Sequence, residues 1–223
     1  MIKYYANVLL LSIILILSES LYAQKEITQF LGIPVDGYKP EMIQKLKSKG
    51  FTIDPNSKDA LTGEFNGREV KIFIVTNNNK IWRIAVTDAN GMNEGDVKIR
   101  FNNLLQQFQN NKNYLPTSDS TILKYSIPKT ENISYELTVN NKRYEASFYQ
   151  KTAAYDSLID LIAKESPNDK NGEKLASLIK RTLEESMKSL DKSVWFMISE
   201  FSGKYYITIY YDNQYNKANG EDL

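Results

Sequence analysis

The dipeptide Asn66-Gly67 constrains this chain more than any other short segment. It separates two runs rich in strand formers, Leu61–Phe65 and Arg68–Thr76, by two residues that readily take positive φ, and so predicts a tight antiparallel hairpin. Asn77-Asn78-Asn79 then turns the chain into Lys80–Asp88, where Trp82, Ile84 and Val86 alternate with Arg83, Ala85 and Thr87. A period of two assigns the sets to opposite faces, one buried and one partly wet. The buried face needs a cover, and helical spacing supplies it. Gly37 to Gly50 reads as a short helix with Pro40 in its first turn, Met42, Ile43 and Leu46 on one side, and Gly50 at its end. Asn93 is placed to cap a second helix, whose Val97, Phe101, Leu104, Leu105 and Phe108 share a face.

The second half repeats this grammar. Residues 113–131, with Pro116, Pro128 and a Thr-Ser-Asp-Ser cluster, read as a connection in which Thr121–Ile127 is an edge-strand candidate. Ile133, Tyr135, Leu137 and Val139 then alternate as a strand, Asn140-Asn141 turns it, and Tyr144, Ala146 and Phe148 alternate along its partner. Thr152–Lys164 and Glu173–Leu190 have helical spacing, the latter through Leu175, Leu178, Ile179, Leu183 and Leu190. Ser193–Phe201 is nearly all apolar and reads as a buried strand. Ser202-Gly203 turns it into Lys204–Tyr211, and Asp212–Leu223 reads as a fraying tail. Hairpins predominate over βαβ crossovers. The expected fold is therefore α+β, with antiparallel β-meanders and hairpins and helices packed on one face. It divides into two similar halves, residues 24–112 (helix, three-stranded meander, helix) and 132–223 (hairpin, two helices, hairpin), around the connection 113–131.

Residues 1–23 read as a cleaved secretory signal peptide. Lys3 gives a positive start, Val8–Leu17 is an apolar run, and Ala23 supplies a small residue at the cut. The run is about half the ~20 residues that a membrane-spanning helix needs, so no transmembrane anchor is expected after cleavage. The mature protein is expected in the periplasm or secreted. It has no cysteine, which excludes a lipid-anchored lipoprotein, thiolate metal sites and redox dithiols. Roughly 200 mature residues are enough to hold together by packing alone.

Histidine is also absent. That removes Ser-His-Asp and Cys-His nucleophile systems and imidazole-ligated metals. The 28 basic and 27 acidic residues nearly cancel, so nucleic acid is not an expected partner. Asp88-Ala89-Asn90-Gly91-Met92-Asn93 begins like a calcium loop, but Met92 stands at the fifth position and no glycine at the sixth. Asp169-Lys170-Asn171-Gly172-Glu173 fares no better, with Pro167 where the first ligand would be. Both read as turns, and no metal or cofactor is expected. The Ser-x-x-Lys pairs Ser126/Lys129, Ser177/Lys180 and Ser189/Lys192 are what chance supplies in a chain rich in both residues. Glu136, Glu145 and Glu200 are the carboxylates that a glycan hydrolase would have to pair across a cleft. With no catalytic motif, the chain reads as no enzyme.

Leu31-Gly32-Ile33-Pro34 followed by Met42–Phe51, the Thr62–Gly67 hairpin, and Val194–Ile198 with Tyr205–Asp212 together resemble uncharacterised exported proteins of Bacteroidetes. The likeness implies an exported α+β protein and carries no activity with it. The helix-plus-meander halves are similar in layout to the envelope and inhibitor modules grouped as BLIP-like, a likeness of architecture alone.

The remaining lead is aromatic. In the last hairpin Tyr205 and Tyr211 share the face of Ile207 and Ile209, while Tyr206 and Tyr210 flank Thr208 on the other, with Tyr215 just beyond. If the isoleucine face is core, Tyr206 and Tyr210 form a pair on the wetter face. Tyrosine is enriched at interfaces, so Tyr206, Tyr210 and Tyr215 are the candidate binding residues. The expectation is a non-enzymatic binding or interaction module of the cell envelope whose partner is an envelope protein or a glycan. A carboxylate-dependent glycan hydrolase and a structural envelope component are the alternatives.

Overall fold

The computed structural model describes residues 27–116, 125–152, 155, 159–160, 177, 180 and 192–218. The chain divides into two compact units, one of Met1–Glu26 and Thr152–Leu190, the other of Ile27–Lys151 and Asp191–Leu223. In the first, Tyr155, Ile159, Asp160, Ser177 and Lys180 are helical, within the two stretches expected to be helices. The signal peptide, Asp169–Glu173 and most of those two stretches lie outside the described residues. The strands belong to the second unit.

Two short strands, β1 (Gln29–Phe30) and β2 (Ile33–Pro34), pair with each other. Helix α1 (Lys39–Ser48) follows, then β3 (Thr52–Asp54), β4 (Ser57–Phe65), β5 (Arg68–Asn77), β6 (Lys80–Asp88) and helix α2 (Glu94–Asn110). Next come β7 (Tyr114–Pro116), the short helix α3 (Ile133–Thr138), β8 (Glu145–Gln150), β9 (Ser193–Phe201), β10 (Lys204–Asp212) and a 3-10 turn, Gln214–Asn216. Eight strands form one antiparallel sheet in the order β3-β4-β5-β6-β10-β9-β8-β7. The fold is α+β. Helix α1 is followed by β3 to β6 without interruption, whereas helical residues separate β7, β8 and β9 after α2; β6 and β10 meet at the centre of the sheet.

The turns follow from their residues. Asn66 and Gly67 take φ of 53° and 69°, and Asn78 and Asn79 take 46° and 63°, the left-handed pairs that two-residue hairpins need. Asn93 Oδ1 accepts the Asp96 N–H at 2.9 Å and starts α2. The five apolar residues expected on one side of α2 are all buried. They pack on the sheet face formed by Val70, Ile72, Ile84, Val86, Ile207, Ile209, Phe196 and Phe148. Phe101 meets Phe196 edge-on with centroids 5.0 Å apart, and Phe108 stacks on Phe148 at 4.9 Å. Met42 and Leu46 of α1 belong to the same core. Each such side chain contributes roughly 1.5–3 kcal/mol on burial.

Four expectations are corrected. Ile133–Val139 is no strand: Ile133–Thr138 is helix α3, opened by Asn132 Oδ1 accepting the Tyr135 N–H at 2.9 Å. Ile133 and Leu137 are four apart, a spacing that fits one helix face as well as one strand face. At one edge of the sheet stands β7, at the start of the expected connection; the edge-strand candidate Thr121–Ile127 lies mostly outside the described residues. The Asn102 side chain takes both backbone groups of Ile127, which a strand would spend on its neighbour. The first meander has a fourth strand, β3, that carries only three residues and too short a pattern to read. Finally, Ser193–Phe201 buries one face only, and the tail begins tied down, with Asp212 and Asn213 buried. Asn213 Nδ2 donates to the Val35 carbonyl at 2.8 Å.

Candidate functional site

Helices α1 and α2 cover one face of the sheet. On the other, strand register lines up Ala60, Phe73, Ala85, Tyr210, Trp195 and Ser147 in a single row across six strands. The two rings in the middle stack, with centroids 4.1 Å apart and planes 22° from parallel. Further along, register sets Arg83 opposite Asp212. Arg83 grips that carboxylate with both ends of its fork, Nε to Oδ1 at 2.6 Å and Nη2 to Oδ2 at 2.7 Å. The Trp195 Nε1 donates to the same Oδ2 at 3.0 Å. Asp212 is only 3% exposed and tolerates burial because three donors surround its carboxylate.

The guanidinium lies 4.7 Å from the Tyr210 ring centroid, 5.3 Å from Trp195 and 4.2 Å from Trp82. Cation and ring faces attract one another, so the carboxylate, the guanidinium and three rings fix each other's orientation. The base of the assembly is fastened to the rest of the fold. The Asp212 carbonyl accepts from Thr28 Oγ1 at 2.6 Å, and the Asn213 N–H donates to the Trp82 carbonyl at 2.7 Å. Beside Trp195 lies a shallow cleft of 280 Å³ bordered by Tyr125, Arg143, Glu145, Ala146 and Ser147. Such a surface presents ring faces and hydrogen-bonding groups in fixed positions.

The structure places the candidate tyrosines as follows. Tyr205 and Tyr211 are buried on the helix face; Tyr206 and Tyr210 are partly exposed on the open one. They do not form a pair with each other, since four strand residues separate them by ~13 Å. The partner of Tyr210 is Trp195. Tyr206 packs instead beside Gly91, where an added Cβ would stand 2.8 Å from its hydroxyl. Tyr215 lies off the sheet in the 3-10 turn, about half exposed, its backbone N–H donating to Asn213 Oδ1. Sequence reasoning does not single out Arg83, Trp82 or Asp212. The register of the Ser202-Gly203 hairpin sets Tyr210 opposite Trp195, but nothing local announces that β6 pairs with β10.

The other candidates are accounted for by structure. Glu136 stands on α3 and not on a strand, and accepts from Asn140 Nδ2. Glu145 is on the open face and pairs with Arg143 at 2.9 Å, whereas Glu200, opposite Tyr205, belongs to the helix face. Glu145 and Glu200 therefore do not look into one cleft. Asp88 pairs with Arg100 at 3.5 Å, both buried between β6 and α2. Burial pushes the Asp88 carboxyl above its ordinary value, against the opposing pull of Arg100. The Asp54 carboxyl is held below its ordinary value by its hydrogen bond with Lys71, whose Nζ is 2.9 Å away.

No protein-family model matches the chain, and no curated protein or solved structure is significantly similar to it. Among the described residues no helix is long and apolar enough to cross a membrane.

Proposed function

We propose that this protein is a non-enzymatic binding module of the cell envelope, exported under the direction of residues 1–23. Its contact surface is the open sheet face around Tyr210 and Trp195. The observation that carries the reading is the Arg83–Asp212 clamp. It uses a buried carboxylate to hold two partly exposed rings rigid on a face that α1 and α2 leave free. Fixed aromatic side chains lose little conformational freedom on binding, which is why they anchor interfaces. Tyr206, further along β10, extends the same face. The partner is an envelope protein or glycan.

The test is an affinity capture. Tagged residues 24–223 are incubated with solubilised envelope proteins and glycans of the host, and retained species are identified by mass spectrometry. One species retained by the native protein and lost from both Tyr206→Ala/Tyr210→Ala and Trp195→Ala is the expected result. Retention undiminished by these substitutions would remove the proposed face.

A further inference from the structure

We infer that the cleft beside Trp195 receives one neutral sugar ring, stacked on the indole face that Tyr210 leaves uncovered. This rests on the open face being a binding surface, and it names the chemistry of what binds there.

Trp195 stands on β9 between two neighbours. On the β10 side Tyr210 lies against one face of the indole at 4.1 Å. On the β8 side its register partner is Ser147, whose side chain carries a single heavy atom beyond Cβ. The 280 Å³ cleft is bordered by Trp195 and by residues of β8, the neighbour of β9 on the side opposite Tyr210. The volume is near the lower end of small-molecule sites and suits one ring, not a peptide segment. The indole is held by its Nε1 bond to Asp212, so stacking on it costs little further ordering.

The chemistry of the walls selects among flat ligands. An aromatic face carries negative charge density and attracts polarised C–H groups, which a pyranose with equatorial hydroxyls presents along one side. A cationic ligand is opposed by Arg83, already 5.3 Å from this ring, and by Arg143 at the rim. A purely aromatic ligand would leave the polar rim unused. Arg143 and Glu145, 2.9 Å apart, place donors beside an acceptor, the pattern that adjacent hydroxyls satisfy. Their charges cancel, which favours a neutral ligand. Hydrolysis is not implied, since among the described residues Glu145 is the only carboxylate bordering the cleft and cleavage of a glycoside takes two.

The experiment titrates the mature protein against N,N′,N″-triacetylchitotriose and maltotriose. Tryptophan fluorescence, its Trp195 part identified with Trp195→Phe, and saturation-transfer NMR on the sugar are read together. At least one trisaccharide is expected to shift the emission and to show transfer strongest at its ring C–H protons. Glu145→Gln, an exposed site with no role in the core, is expected to weaken binding several-fold. Trp195→Phe is expected to weaken it less than Trp195→Ala, which loses it by at least about tenfold. Silence of both sugars to millimolar concentration, or affinity unchanged in Trp195→Ala, overturns the sugar site. If the envelope capture still depends on Trp195 and Tyr210 while both sugars are silent, only the sugar assignment fails. If the capture is independent of those rings, the binding surface itself has failed.

Discussion

The two central strands each end on a buried aspartate paired with an arginine, and the two pairs are built to different standards. At the end of β10, Asp212 receives a two-pronged grip from Arg83 and a third bond from Trp195, with every contact at or below 3.0 Å. At the end of β6, Asp88 meets Arg100 through one contact of 3.5 Å, and among the described residues Asp88 Oδ2 and Arg100 Nε have no hydrogen-bond partner. The first pair lies on the open face, where Arg83 still reaches water, and it organises rings. The second lies under α2 and organises nothing but the join between helix and sheet. An ion pair that only stabilised the fold would gain nothing from aligning an indole. The geometry at Asp212 holds the indole of Trp195 and, through it, the stacked Tyr210 ring in place.

The largest expected effect falls on the poorer pair. Asp88→Ala leaves the Arg100 charge buried without its partner and is expected to cost about 3–5 kcal/mol in urea denaturation. Replacing both by leucine is expected to be near neutral or stabilising, because the desolvation of both charges is avoided. A loss below about 1 kcal/mol for Asp88→Ala would show that Arg100 reaches solvent, and the contrast between the pairs would weaken. Asp212→Ala is expected to cost less, about 1–3 kcal/mol, since Arg83 can hydrate. It should also shift Trp195 emission and flatten the near-ultraviolet circular dichroism, signals that Asp88→Ala leaves alone.

The acid dependence separates buried carboxylates further. Asp88, raised by burial, favours the fold fully while protonated, below its unfolded value of about 3.9, and this contribution is lost as pH rises through the raised folded value. Asp54, lowered by Lys71, does the reverse. Its contribution is present above about pH 4 and is lost as pH falls through its lowered value. Urea midpoints from about pH 3 to 6 should thus show the native protein gaining on Asp54→Asn and losing on Asp88→Asn as pH rises. Parallel profiles would contradict both assignments. The smallest change in stability, about 1 kcal/mol or less, is expected for Arg83→Lys, which keeps the charge but loses the fork. Its near-ultraviolet spectrum should nonetheless move toward that of Asp212→Ala.

These two sites differ also in how far the sequence disclosed them. Local signals suffice for α2, where one cap and five apolar residues agree, and for the hairpins, where Asn66-Gly67 and Ser202-Gly203 fix register outright. From that register Tyr210 faces Trp195 and shares a face with Asp212's neighbours on β6 only once the central pairing is known, so half of the candidate site is legible. The other half is not, because Arg83 reaches Asp212 only through the pairing of β6 with β10, which 129 residues of chain separate. Alternation groups Tyr206 with Tyr210 because it reports the face and says nothing of distance along it. At α3 the spacing from Ile133 to Leu137 serves strand and helix alike. There the Asn132 cap and the bond from the Ile133 N–H to Glu94 Oε1 decide for helix.

Hydroxyl-radical footprinting of residues 24–223, alone and with solubilised envelope material, tests the proposed binding face most directly. Trp195 and Tyr210 on the open face are expected to lose reactivity. Tyr38 at the start of α1 and Tyr135 on α3, exposed at 48% and 52%, are expected to keep theirs. Protection of Tyr38 or Tyr135 with Trp195 and Tyr210 unchanged would place the contact elsewhere and contradict the account.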